Sequence, residues 1–161
     1  MKNVICGLYF LTASSMALAG GTCNIFSKGH FSPDLKIDDC KILGPLENKD
    51  NVLSGTFEVE VKGLNGGLRN KHMQGPEYLD SDKYPKIKLV LNPIKIADKH
   101  FSGTLTVKDK TKEISGDILS IAKDELKARF IFNITAFGIK QPKLGPAYIE
   151  ENVTITAVVK P

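Results

Sequence analysis

From Leu53 onward, hydrophobic and polar residues alternate along most of the chain. In residues 56–62 the apolar Phe57, Val59 and Val61 face one way, and Glu58, Glu60 and Lys62 face the other. A period of two marks a strand with one face on a core. The pattern recurs in 86–92, where Ile87, Leu89 and Leu91 share a face, and in 100–108, where Phe101, Gly103, Leu105 and Val107 do. Asp109-Lys110-Thr111 predicts a turn, and 113–121 runs back as the second arm of a hairpin. Residues 126–135 give the longest expected strand, with Leu126, Ala128, Phe130, Phe132 and Ile134 inward, and 152–159 closes the chain with Val153, Ile155, Ala157 and Val159 alternating. Asn92-Pro93 predicts a break before a weak strand through Ile94 and Ile96.

Two segments depart from this rhythm. Residues 68–80 read as a short helical excursion, ended by the turn Asp80-Ser81-Asp82 and by Pro85, which lacks an N–H donor and biases Tyr84 away from helical angles. Residues 20–52 are irregular. One short strand is expected near 34–43, Gly44-Pro45 breaks it, and Glu47 to Asn51 reads as a polar loop. Roughly seven or eight strands at this spacing imply an all-β antiparallel barrel or sandwich with a short helical insertion near 68–80.

The first nineteen residues stand apart from that fold. Lys2 supplies a positive charge, Val4 to Ala19 is apolar or small, and Ala17-Leu18-Ala19 fits the small-x-small cleavage rule. This is the pattern of a secretory signal peptide over 1–19, cut after Ala19, which leaves a single domain over 20–161 and a periplasmic or secreted protein. No later stretch approaches the roughly 20 apolar residues that cross a bilayer as a helix, so no integral membrane segment is expected after cleavage. The mature chain would have 161 − 19 = 142 residues, enough to bury a core without a staple. Of the 22 basic residues only Arg69 and Arg129 are arginine, and lysine is scattered. Nucleic-acid recognition relies on clustered cations and arginine forks, so nucleic acid is not an expected partner.

With Cys6 in the leader, Cys23 and Cys40 form an even pair in an exported chain, and a disulfide is the expected fate. Two buried thiols or a metal pair are the alternatives, though two cysteines without a second ligand pair make a weak zinc site. His30, His72 and His100 share no ligand spacing. Neither a nucleophile elbow, a phosphate loop nor a Cys–His motif occurs, so no catalytic residue, cofactor or metal is assigned and the chain is not read as an enzyme. The inner face carries the information: Phe57, Val59, Ile87, Leu89, Leu91, Phe101, Leu105, Phe130, Phe132 and Ile134. An eight-strand barrel is the size at which such an interior is either just filled or holds one ligand. Gly103 and Ala128 leave room, and tryptophan is absent.

Four ordered segments resemble the lipid/polyisoprenoid-binding YceI-like family: LSGTFEVEVKGLNGG (53–67), LRNKHMQGPEYLDSDKYPKIKL (68–89), FSGTLTVKDKTKEISGDI (101–118), and ITAFGIKQP (134–142) with ENVTITAVV (151–159). The second carries Arg69 to Met73 and then Lys83-Tyr84-Pro85. The third has Asp109 where the family has glycine. The family's opening hairpin is not legible in 20–52. The resemblance implies a lipocalin-like antiparallel barrel whose apolar tunnel, lined by the ten inner-face residues, holds a polyisoprenoid or other long-chain amphiphile without catalysis. Arg69, Lys71 and His72 are the candidates to meet its head group. The family's dimers make a homodimer a further expected partner. A filled-core periplasmic structural or protein-interaction module, related to stress, is the competing expectation.

Overall fold

A computed structural model of the chain describes residues 19–122 and 124–161. Apart from Ala19, the expected signal peptide lies outside the described residues. The elements in chain order are β1 (Gly20–Ser27), β2 (Gly29–His30), β3 (Leu35–Leu43), β4 (Leu46–Lys49), β5 (Val52–Glu60), α1 (Asn70–Met73), β6 (Lys86–Lys95), β7 (His100–Val107), β8 (Lys110–Ala122), β9 (Glu125–Asn133), β10 (Lys143–Leu144), β11 (Ala147–Ile149) and β12 (Asn152–Lys160). Eight long strands pair antiparallel in the order β3-β1-β12-β9-β8-β7-β6-β5, and β5 meets β3 at Leu43 opposite Glu58. The sheet therefore closes into a barrel with no free edge between its first and last members.

The region that alternates poorly in sequence supplies two of those strands. β1 and β3 form the opening hairpin, with Cys23 directly opposite Cys40. The two cysteines are disulfide-bonded, with their Cα atoms 4.9 Å apart. A β-bulge shifts the register just beyond them. Asp39 there has φ 54°, and its N–H donates to Asn24 Oδ1 at 2.9 Å. Asp38 and Asp39 are both exposed as a result, whereas simple alternation places them on opposite faces. The expected polar loop at 47–51 is instead a strand and a tight turn. β4 continues the line of β3 beside β5, in the register that pairs Leu43 with Glu58 and Leu46 with Gly55. Asp50 and Asn51 turn the corner with φ of 54° and 64°, the left-handed pair that matches strand twist in a two-residue hairpin. Gly44 (φ 112°) permits the kink, since a Cβ there would strike the Thr56 carbonyl.

Asn92-Pro93 does not end its strand. β6 runs through it, because the register against β5 shifts between Leu53 and Gly55 and leaves the extra residue unpaired. A bulge tolerates a proline that has no N–H to give. It also moves the inward position from Leu91 to Ile94, and both are buried. The turn after β7 tightens to Lys108-Asp109, with Val107 opposite Lys110. β9 stops at Asn133, whose side-chain carbonyl accepts from the N–H groups of Thr135 and Ala136 and starts a 3-10 turn over Ile134–Phe137. The helical excursion is brief: a 3-10 turn at Gly67–Arg69 runs into the single turn of α1, and the remainder is turns.

One end of the barrel is packed solid. Leu46, Leu53, Leu91, Ile94, Phe101, Leu126 and Val159 are all buried there. The Phe101 ring lies over Gly116, where an added Cβ would come within 2.7 Å of it. It meets Phe130 edge-on with centroids 6.0 Å apart.

Candidate functional site

At the opposite end the inward face does not fill the barrel. A cavity of about 540 Å³ remains, within the range of small-molecule sites. Its walls follow from strand register. Phe57 on β5 stands opposite Leu89 on β6, and Leu89 opposite Leu105 on β7. Phe130 on β9 stands opposite Ile155 on β12, which faces Ile25 on β1, which faces Ile37 on β3. All seven line the cavity. Opposed residues on neighbouring strands share a face, so two rows of branched and aromatic side chains make a continuous apolar wall.

Eight of the ten inner-face residues expected from the sequence are brought together at this cavity: Phe57, Val59, Ile87, Leu89, Leu105, Phe130, Phe132 and Ile134. Leu91 and Phe101 are not. Both point inward but belong to the packed end, 5% and 4% exposed, where the interior is filled. Residues from the irregular segments complete the lining. Ile25, Leu35, Ile37 and Ile42 come from the opening hairpin, Leu64 from the turn after β5, Met73, Tyr78 and Leu79 from the excursion, Ile139 from the loop that follows β9, and Ile149 from β11. Sequence reasoning passed over most of them. Phe26, pointing outward between Ile25 and Ser27, masks the alternation of β1, and the loop residues have no period.

The polar members of the lining cluster at the rim: Ser32, Arg69, His72, Lys143, Tyr148 and Glu150. The small sheet β10-β11-β2 carries two of them, Lys143 and Tyr148. His30 Nε2 lies 2.7 Å from Glu150 Oε1, and its ring stacks on Tyr148 at 4.6 Å. Ser27, 1% exposed, donates to the Glu150 carbonyl at 2.8 Å and fixes the end of β1 against this sheet. Arg69 spends its guanidinium on backbone, donating to the Pro33 carbonyl at 2.9 Å and the Asp34 carbonyl at 3.3 Å. It thereby ties the excursion to the 31–34 loop. Of the three head-group candidates, Arg69 and His72 reach the cavity, whereas Lys71 is exposed on α1 and lies outside the lining. Asp34 braces the same loop: its carboxylate accepts the Gly29 N–H at 2.9 Å and pairs with Lys28 at 3.3 Å. The Gly29 hydrogen bond, and after it Lys28, hold the carboxyl below its ordinary 3.8.

Among the described residues no group of three or more His, Cys, Asp or Glu side chains stands together as a metal site, and no helix is long and apolar enough to cross a membrane. The cavity is apolar within and polar at the lip.

A profile of the YceI-like domain matches residues 24–160. The UPF0312 protein plu2095 of Photorhabdus laumondii is 29% identical over 84 residues, a match that spans 50% of this chain and 42% of that relative. Among solved structures, BcnA of Burkholderia cenocepacia superposes with a TM-score of 0.67 at 14% identity, covering 86% of this chain and 94% of that one. The YCEI protein of Campylobacter jejuni superposes with a TM-score of 0.52 at 15% identity, covering 83% and 85%. At those identities the structural likeness establishes a shared fold.

Proposed function

Since the chain belongs to the YceI-like family, we propose that it is an exported, non-enzymatic carrier that holds a long-chain isoprenoid or similar amphiphile in the barrel cavity. The family is known for lipid- and polyisoprenoid-binding barrels. The observation that carries the reading is the cavity itself: about 540 Å³ of apolar space inside a closed barrel, with polar side chains only at one lip. A filled-core module would leave no such space. Each methylene moved from water into the cavity stabilises by roughly 0.8 kcal/mol, so a long chain needs few polar contacts. His72 and the donors Arg69 does not spend on Pro33 and Asp34 stand where a head group would emerge. Export rests on the leader-like start of the sequence and is supported by the Cys23–Cys40 disulfide, which suits an oxidising compartment.

The test is native mass spectrometry of the protein purified without detergent, before and after incubation with polyprenols, quinones and fatty acids. One bound amphiphile is expected, released by solvent extraction. Leu89→Asp, which places a carboxylate in the apolar wall, is expected to fold and to lose it. An unchanged apo mass with all three ligand classes, or normal uptake by a folded Leu89→Asp variant, would falsify the carrier reading.

A further inference from the structure

The three most exposed large apolar side chains among the described residues are Leu68 at 103%, Phe31 at 89% and Leu144 at 85%; the next, Ile131 on the outer wall, is at 60%. All three belong to the cavity rim. Leu144 is part of the lining, Phe31 precedes Ser32, and Leu68 precedes Arg69. Side-chain contacts fasten their loops together. Arg69 grips the carbonyls of Pro33 and Asp34, and His30 stacks on Tyr148, the strand partner of Lys143. Phe31 also adopts φ 51°, a conformation unfavourable for a bulky residue, while its ring gains no burial.

The charges around these side chains share one bias. In the rim segments 28–34, 67–78 and 140–150 the acidic residues are Asp34, Glu77 and Glu150. Asp34 and Glu77 are ion-paired with Lys28 and Lys140, and Glu150 hydrogen-bonds His30, which balances its charge only when the ring is protonated. Glu151, next along the chain, accepts hydrogen bonds from Asn133 and Thr135 and keeps its negative charge. Lys71 and Lys143 have no acidic partner among the described residues, and Arg69 contacts only carbonyls. The rim thus presents three separate apolar tips among surplus cations, arranged around the opening of a greasy cavity.

We propose that this rim is a docking face for an anionic lipid bilayer, with Phe31, Leu68 and Leu144 entering the interface and Arg69, Lys71 and Lys143 meeting lipid phosphates. The proposal rests on the carrier reading of the cavity and adds its route of loading: the mouth opens onto the membrane, and the ligand passes between bilayer and barrel without crossing water.

The experiment is co-sedimentation with vesicles of phosphatidylcholine alone and of phosphatidylcholine with phosphatidylglycerol, at low and high salt, alongside uptake of geranylgeraniol delivered from cyclodextrin. The wild-type protein is expected on the anionic vesicles, more weakly on the neutral ones and more weakly at high salt. A Phe31→Ser/Leu68→Ser double variant alters two exposed side chains outside the cavity lining. It is expected to lose roughly tenfold in partitioning per residue, about a hundredfold in all, and to take up geranylgeraniol from cyclodextrin unchanged. Wild-type protein that sediments with neither vesicle, or a double variant that sediments as well as wild type, overturns the proposal. A dimer that the double variant dissolves, without vesicle binding, overturns it in favour of a second copy covering the rim. Vesicle binding without geranylgeraniol uptake supports the docking face and counts against the carrier reading, so the two fail separately.

Discussion

Ligand chain length offers a quantitative test of the cavity. Its volume is about 540 Å³. At roughly 30 Å³ for each methylene-sized group, the space takes about 18 carbons. Below that length every added methylene leaves water for the apolar wall and contributes up to about 0.8 kcal/mol, close to fourfold in affinity. Above it, further carbons emerge at the rim and the gain stops. A series of straight-chain or prenyl alcohols, titrated by calorimetry or by displacement of a fluorescent probe, should therefore show a rise that flattens near 18 carbons. Ala157→Phe then moves the plateau by a known amount. Ala157 lies on the inner face of β12, opposite Cys23 and Ala128, and lines the cavity. The phenyl ring adds about six carbons to the space, so the plateau should fall to about 12. Filling an existing void avoids most of the roughly 1–3 kcal/mol that overpacking a dense core costs, so the variant is expected to fold. Affinity independent of chain length, or a folded Ala157→Phe variant with the wild-type plateau, would refute the assignment of the cavity as the ligand site.

Two further predictions concern the segments that frame the site. Replacing both Cys23 and Cys40 with alanine opens a link of sequence separation 17, and the chain-entropy model puts the loss at about 3 kcal/mol, or roughly a 10 °C drop in melting temperature by calorimetry; an unchanged melting temperature would show that the β1–β3 hairpin is held by packing alone. Asp34 has a depressed folded-state pKa, so its contribution is present above 3.8 and lost as pH falls through the lower folded value. The Gly29 amide resonance should titrate with a midpoint below 3.8, and a midpoint at or above that value would mean the carboxylate does not brace the rim loop.

Much of the site was legible because period-two alternation survives wherever a strand has one wet face and one dry face. Phe57, Leu89, Leu105, Phe130 and Phe132 follow directly from it. Leu91 and Phe101 follow from it equally, and there it misleads: alternation reports which side of the sheet a residue faces, and both ends of a barrel face the same way. The opening hairpin was hidden for a different reason. A bulge after Cys23 shifts its register, and outward Phe26 replaces a polar residue. Pro93 read as a break because a sequence does not display the bulge that excuses its missing N–H.

The amino-acid order by itself determined the all-β class, most of the strands, the inner face and the family, since these depend on local steric preference and on which residues must leave water. Only the tertiary structure decided that β3 closes onto β5, that Phe101 above Gly116 seals one end, and that Arg69, His72, Tyr148 and Glu150 share the rim of the other. These contacts join segments that are not neighbours in the sequence. Whether they enclose a void depends on summed side-chain volumes across eight strands, a quantity that no local pattern carries.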